Sequence, residues 1–594
     1  MNAAEIFVET IKPGGRPERQ LKQYEALGFV GNDPINLYLR EGQGPGLEGE
    51  DKWGVYIKFP EDAPGKTPYI TEENKVLKDI TRWREYVHVP DIETAALGDW
   101  EAPREKAREI REEGRLATVL MGTGIFEQVH FLMGFEDALT ALYEHPEEMH
   151  ELIECITEYR IRYVSHICEK LHPDVILSHD DWGTKTGLFM QPDIWRDFFK
   201  EPYRRFYEVI RSHDIIAIHH ADSYLVPIVP DMVELGIQVW QGVLPENNVP
   251  KLLRELDGRM ALMGGIGAAI DREDVEEEEA REYIRGVLES CCRYSCFIPC
   301  ITYGGPGTVY KKVDGFINDE IDRYNSRLHI RFDLGRATEE ADLASRAKEL
   351  SADESSPAEA ADGKLAGGDD AEADTRSDAS DILRELSEAV ENGQAGRAER
   401  ILKSEAAEAI DPHTILDEAL ITAMNRVGDD FTAGEVFVPE MLLAAKAMKS
   451  ALDILRPRLV SESTEPLGRA CIGTVQGDLH DIGKNLVRVM LEGSGIEVID
   501  LGTDVSAERF VETAREEACD IICCSSLLTT TVGEMRNVVD ACRDAGIRDD
   551  VIIMVGGAPV TQGFCDDIGA DIYSEDAGSA ARKAVSALKS RKDK

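Results

Sequence analysis

In ACIGTVQGDLHDIGKNLV, residues 470–487, an apolar run suited to a strand stops at Val475, a polar loop follows, and a helix-period run begins beyond Gly483. The loop holds Asp478, His480 and Gly483 in the spacing D-x-H-x-x-G. The same strand, loop and helix succession then repeats: EVIDLG, DIICCSS, VIIMVGG and DIYSED alternate with helix-period stretches such as SAERFVETAREEA and VGEMRNVVDACRDA. That alternation predicts a doubly wound parallel sheet, in which ligands bind at the carboxyl ends of strands. Asp478 and His480 fall at such an end.

Alone, D-x-H-x-x-G is weak evidence and reads first as a helix-capping aspartate and a surface histidine. Here 41 residues separate Gly483 from Ser525-Ser526-Leu527, and 28 more separate Leu527 from Gly556-Gly557. With these three elements the segment resembles the corrinoid-binding domain of methionine synthase and of methanogen and acetogen corrinoid proteins, whose pattern is D-x-H-x-x-G, S-x-L and G-G. The resemblance implies a bound cobalamin, with His480 as axial cobalt ligand and Asp478 as the carboxylate behind it. It also implies that Gly483, Ser525, Leu527, Gly556 and Gly557 border the slot for the cofactor's nucleotide tail. Glycine suits a tail that threads past strand ends, and an imidazole whose proton is held by a carboxylate suits a metal that gains and sheds its lower ligand.

Upstream, about 80 residues of helix-period pattern, from SDILRELSEAVENG to PEMLLAAKAMKSALDILRPRL, fit a small four-helix bundle. Its segment FTAGEVFVPEMLLAAKAM resembles the cap that covers the methyl face of the corrin in these proteins, with Phe437, Met441 and Met448 as candidates to touch it. Before the bundle, residues 351–380 carry nine acidic and two basic residues and almost nothing to bury, as in an acidic flexible linker. The expected division is 1–345, 346–380 (linker), 381–462 (helical cap) and 463–594 (cobalamin-binding Rossmann-like domain).

Residues 1–345 again alternate strand and helix patterns. LATVLMGTG, VILSHDDWG, IIAIHHAD, QVWQGVL and MALMGGIG are the strand runs, and over this length a (β/α)₈ TIM barrel fits best. Polar residues gather where these runs end: His179, Asp180, Asp181, His220, Asp222, Gln241 and Cys300. In a barrel those ends form the catalytic face. The stretch from SHDDWGTKTGLFMQPDIW to MALMGGIG resembles the uroporphyrinogen decarboxylase superfamily, especially its corrinoid methyltransferase branch. That branch holds zinc through H-x-C and a distant cysteine. Aligned through PIVPDMVELG without a gap, the family's histidine falls on His220 and its cysteine on Asp222; His219 needs an insertion. The distant cysteine matches Cys300, with Cys296 as its rival. The implied zinc ligands are His220, Asp222 and Cys300, and His179 and Asp181 are candidates to bind substrate or supply a proton. Trp240, Glu246 and Asn247 are weaker candidates, and Cys291, Cys292 and Cys296 in CCRYSC read as buried fillers or a second metal site.

Together these resemblances imply a fused, zinc-assisted corrinoid methyltransferase, similar to chloromethane methyltransferases and aromatic O-demethylase systems. It would move a methyl group from a methyl ether, a methoxylated aromatic or a methyl halide to its own cobalamin. The alternatives are transfer from the cofactor to a thiol such as coenzyme M, and a cobalamin carrier or sensor without catalysis. Separate partners are expected: a methyl-acceptor transferase using tetrahydrofolate or coenzyme M, and a reductive activator. A net charge of −47 argues against nucleic acid. No export-type apolar segment or membrane span is evident, and twelve cysteines without regular spacing read as reduced thiols, so a cytoplasmic protein is expected.

Overall fold

A computed structural model describes residues 1–59, 67–272, 274–302, 309–335, 374–460, 466–478, 482–527, 531–557 and 559–592. The N-terminal sheet has seven strands among these residues: β1 (Leu27–Phe29), β2 (Leu116–Met121), β3 (Val175–His179), β4 (Ile216–His220), β5 (Val239–Val243), β6 (Ala261–Ile266) and β7 (Phe297–Ile301). They pair in parallel in chain order, seven of the eight strands expected. The sheet is curled, because Leu27 of β1, Val239 of β5 and Ile298 of β7 share one buried cluster that a flat sheet could not assemble. Closure is also visible at Gln23, just before β1, whose Oε1 accepts the N–H of Ile301 on β7 at 3.2 Å.

Three helices follow β2: α1 (Ile125–Met133), α2 (Phe135–Glu144) and α3 (Pro146–Leu171). After β3 comes α4 (Glu201–Ser212), which packs against α3 and β4. The bundle has four main helices, α5 (Asp374–Glu391), α6 (Ala395–Leu402), α7 (Thr422–Ala433) and α8 (Val438–Val460). Since α5 starts at Asp374, residues 374–380, read above as linker, are helical; residues 346–373 lie outside the described residues.

The C-terminal sheet holds β8 (Arg469–Thr474), β9 (Glu497–Asp500), β10 (Ile521–Ser525), β11 (Ile552–Gly556) and β12 (Ile572–Ser574), with α9 (Ile482–Gly493) after β8 and α10 (Ala577–Lys592) last. Its parallel order, β9-β8-β10-β11-β12, puts the topological switch between β8 and β10. The loop carrying Asp478 leaves β8 and the Ser525–Leu527 segment leaves β10, so both border that crevice. No described helix is long and apolar enough to cross a membrane.

Candidate functional site

Strand alternation sorts the histidines of β4. His219 faces the helices, where its ring stacks on Trp182 at 4.0 Å and its Nδ1 meets the hydroxyl of Tyr207 at 2.7 Å. His220 faces the barrel interior, stacked on His179 of the adjacent strand at 4.6 Å. Asp181 and Asp222 lie two residues beyond these histidines. Asp181 Oδ1 accepts the N–H of Asp222 at 3.0 Å and the hydroxyl of Ser223 at 3.2 Å, which locks the two loops together.

Two overlapping groups result whose donor atoms lie within 4.8 Å of one another: Asp181, His220 and Asp222; and Glu127, His179 and Asp181. Sequence reasoning missed Glu127. Its signal was its place three residues after Gly124 at the start of α1, where one carboxylate oxygen accepts the Gly124 N–H at 2.8 Å while the other meets His179 Nδ1 at 3.0 Å. Asp180, expected in the pocket, instead caps α1: its carboxylate accepts the N–H groups of Phe126 (2.9 Å) and Glu127 (3.0 Å) and the hydroxyl of Tyr203. A Cβ on Gly124 would sit 2.1 Å from Asp180 Cγ, so glycine admits this approach.

Cys300 is not with His220 and Asp222; neither donor group contains a cysteine among the described residues. Buried on β7, its Sγ donates to Gln23 Oε1 at 3.8 Å and it is a hydrogen-bond partner of Tyr24. The Tyr24 hydroxyl accepts Gln241 Nε2–H at 3.0 Å, and Gln241 Oε1 faces His220 Nδ1. The amide orientation makes Nδ1 the protonated nitrogen of His220 and leaves Nε2 as its ligand atom. Nothing in the sequence around Tyr24 announces this role; barrel closure brings it there. Cys296 sits at the opposite end of β7, donating to Lys12 O (3.6 Å) and Gly258 O (3.8 Å), and Cys291 and Cys292 are buried near the end of the preceding helix. Trp240 and Asn247 hold backbone: Trp240 Nε1 donates to Ala221 O at 2.9 Å, and Asn247 binds Leu225 N–H and Ser223 O, each at 2.9 Å. Glu246 lies in the short helical turn Pro245–Asn247.

Environment drives the neighbours apart. Burial works against a charged His179, yet Glu127, then Asp181 and Asp222, hold its pKa up to about 10. Burial, then the charge of His179, pushes His220 down to about 4. Burial and the adjacent Asp181 raise the Asp222 carboxyl well above its usual range, and burial pushes the Cys300 thiol up. A neutral imidazole beside two carboxyl groups is a competent donor set for a divalent cation.

In the C-terminal module Asp478 is fully buried. Its Oδ2 accepts the N–H of Leu527 at 2.7 Å and the hydroxyls of Thr531 at 2.9 Å and Ser526 at 3.2 Å, tying the loop after β8 to the segment after β10. Thr531 was not anticipated. Ser525 ends β10 in register with Thr474 and Gly556. Gly557 has φ +132°, and a Cβ there would sit 1.9 Å from Ser526 O, so only glycine fits. Leu527 is exposed at the rim, and Gly483 on α9 has open space around it. His480 lies outside the described residues. In the bundle Met441 and Met448 are fully buried core, whereas Phe437 is half-buried. The glycine cradle and the crevice between β8 and β10 suit an elongated cofactor tail lying across strand ends.

A barrel with polar strand ends joined to a doubly wound, bundle-capped module defines a two-part α/β protein with a candidate site on each part. Family models agree on each part: uroporphyrinogen decarboxylase (URO-D) over residues 51–294 and B12 binding domain over 382–456 and 468–585. Trimethylamine corrinoid protein 2 of Methanosarcina acetivorans is 45% identical over 183 residues, covering 30% of this chain and 84% of that protein. The trimethylamine corrinoid protein of Methanosarcina barkeri is 39% identical over 210 residues, covering 35% and 97%. Among solved structures, the methanol:cobalamin methyltransferase complex MtaBC of Methanosarcina barkeri aligns at 26% identity over 35% of this chain and 80% of its own, with a TM-score of 0.32. The chain belongs to the corrinoid methyltransferases, with a URO-D-like barrel and a cobalamin-binding module fused in one polypeptide.

Proposed function

We propose that this chain takes a methyl group bonded to oxygen, as in a methyl ether or methoxylated aromatic, and passes it to the cobalamin of its own C-terminal module. The supporting observation is the gathering of Asp181, His220 and Asp222, with donor atoms within 4.8 Å, on the strand-end face of a barrel fused to a cobalamin-binding module. One imidazole and two carboxylates are the kind of three-residue set that would hold a catalytic Zn²⁺. Asp181 replaces the expected Cys300, and carboxylates in place of a thiolate favour a hard Lewis acid and an oxygen-bonded methyl over a thiol.

When bound, zinc polarises the oxygen bearing the methyl group and cobalamin supplies the nucleophile that accepts the methyl. Gln241 accepts the His220 Nδ1–H and so would leave Nε2 to the ion, and Tyr24 fixes Gln241. His179, tied through Nδ1 to Glu127, turns Nε2 toward Asp181 and can donate a hydrogen bond to the departing oxygen. In the C-terminal module His480 would serve as cobalt ligand and Asp478 as its carboxylate partner, and Ser525, Leu527, Gly556 and Gly557 would border the tail. A separate methyl-acceptor transferase and a reductive activator complete the turnover.

The test uses full-length protein loaded with zinc and reduced cobalamin, offered methoxylated aromatics, methanol, methyl halides and methylamines while cobalamin absorbance is followed. Methylation by oxygen-bonded donors, lost in Asp222→Ala with cobalamin still bound, is expected. No methylation by any donor, or full activity of Asp222→Ala, overturns the reading.

A further inference from the structure

One face of α2 carries Glu136, Tyr143 and Glu144, spaced i, i+7 and i+8, and each meets a residue of the C-terminal half of the chain. Glu144 pairs with Lys446 of α8 at 2.6 Å, Glu136 pairs with Arg488 of α9 at 2.8 Å, and the hydroxyl of Tyr143 donates to Glu440 at the start of α8. The charges are complementary, acidic on the barrel and basic on the module for both ion pairs. Glu136 and Arg488 are also largely shielded, with side chains 31% and 22% exposed, so this pair is less screened than most surface contacts.

Position gives the contact its meaning. Phe135, the first residue of α2, packs its ring against Phe189 at 5.0 Å and Phe126 at 6.4 Å, and Phe126 directly precedes Glu127 of the candidate site. On the other side, Arg488 lies five residues beyond Gly483, roughly 7–8 Å along α9 from the end of the loop that starts at Asp478. The surface therefore joins the rim of the barrel's strand-end face to the helix that leaves the cobalamin loop.

We infer that α2 is the docking face on which the chain seats its own cobalamin module against the catalytic face of the barrel. Its occupant is the α8–α9 surface of the same polypeptide. That the seat serves methyl transfer rests on the function proposed above; the seat itself does not.

Carbodiimide, which joins a lysine amine to a carboxylate in contact, tests it in the full-length protein. The expected product is a Glu144–Lys446 cross-link within one chain, with a yield independent of protein concentration. Glu136→Arg, which sets two guanidinium groups against each other, should lower that yield several-fold, and Glu136→Arg with Arg488→Glu should restore it. No such cross-link, one formed only between chains, or an unchanged yield in Glu136→Arg overturns the docking face. A parallel assay compares methylation of the attached cofactor with methylation of free cobalamin added in solution. Glu136→Arg should slow the first about tenfold or more and leave the second unchanged; equal effects on both overturn the inference. If the unaltered protein methylates neither, the proposed function has failed while the cross-link still judges the docking.

Discussion

Removing the Asp478 carboxylate should dismantle the cobalamin site without touching the barrel. In Asp478→Ala at least three donors among the described residues lose an acceptor: Leu527 N–H, at 2.7 Å, and the hydroxyls of Thr531 and Ser526. The two hydroxyls already contact each other at 2.9 Å and keep that partner, so the main loss falls on Leu527 N–H and on the charge-assisted part of the other two bonds. At about 1–2 kcal/mol each, discounted for that fallback, the link between the loops after β8 and β10 weakens by about 3 kcal/mol. Asp478→Asn keeps an acceptor oxygen and loses only the charge, for about half that cost. Cobalamin affinity, read by absorbance titration, should fall about 10- to 100-fold in Asp478→Ala and less in Asp478→Asn. All six tryptophans lie in the first 240 residues, so the tryptophan-fluorescence unfolding transition reports the barrel and should not move. Unchanged cobalamin affinity in Asp478→Ala, or an equal shift in the tryptophan transition, refutes the reasoning.

The two glycines separate folding from binding: Gly557→Ala should destabilise the module by about 3 kcal/mol, because its Cβ meets Ser526 O at 1.9 Å at positive φ, whereas Gly556→Ala, 3.3 Å from Ser574 O, should fold normally and lose cobalamin affinity, as urea unfolding and titration will show. Gln241→Leu should lower zinc affinity about 10- to 100-fold in chelator competition, with Tyr24→Phe milder, since each loosens the hold on His220 Nδ1. Cys300→Ser should keep one zinc per chain by elemental analysis, and Asp181→Ala should lose it; the reverse result returns the ligand set to the cysteine. Burial pushes His130 down to about 4 from an ordinary value of 6.5, so the unfolded chain takes up a proton that the folded barrel refuses. The His130 contribution to barrel stability should therefore fall as pH drops from about 6.5 to about 4, by up to about 3 kcal/mol, and His130→Leu should make thermal melts less steep in pH by that share, with His220 and other groups still contributing.

What the sequence discloses follows how local each feature is. The strand runs end at His179 and His220, so the catalytic face can be read from them, and the D-x-H-x-x-G loop sits at a strand end by the same logic. Inward and outward facing along β4 is legible only once the barrel exists, because IIAIHH is apolar on both sides: His219 fills the helix layer and His220 the interior. Asp180 and Asp181 look alike in SHDDWG, yet one backbone step turns the first into a helix cap and the second into the bridge between two loops. The link of Tyr24 to Gln241, 217 residues away in sequence, and the pairing of α2 with α8 and α9 depend on contacts across hundreds of residues, which no local pattern encodes.

The two candidate donor groups share Asp181, and the partners behind their histidines decide between them. Behind His220 stands a neutral amide: Gln241 accepts one proton from Nδ1 and has no charge to draw a second onto Nε2, so the ring stays neutral with its lone pair toward Asp181 and Asp222. Behind His179 stands the Glu127 carboxylate at 3.0 Å, which stabilises the imidazolium and leaves both nitrogens protonated near neutral pH. Stacked rings 4.6 Å apart cannot both carry charge cheaply, so charging one reinforces the neutrality of the other. A cation entering here meets a ready ligand at His220 and must displace a proton at His179. On the proposed function, a metal would therefore be held by Asp181, His220 and Asp222, and the Glu127–His179 pair beside it would be left to handle hydrogen bonds at the substrate.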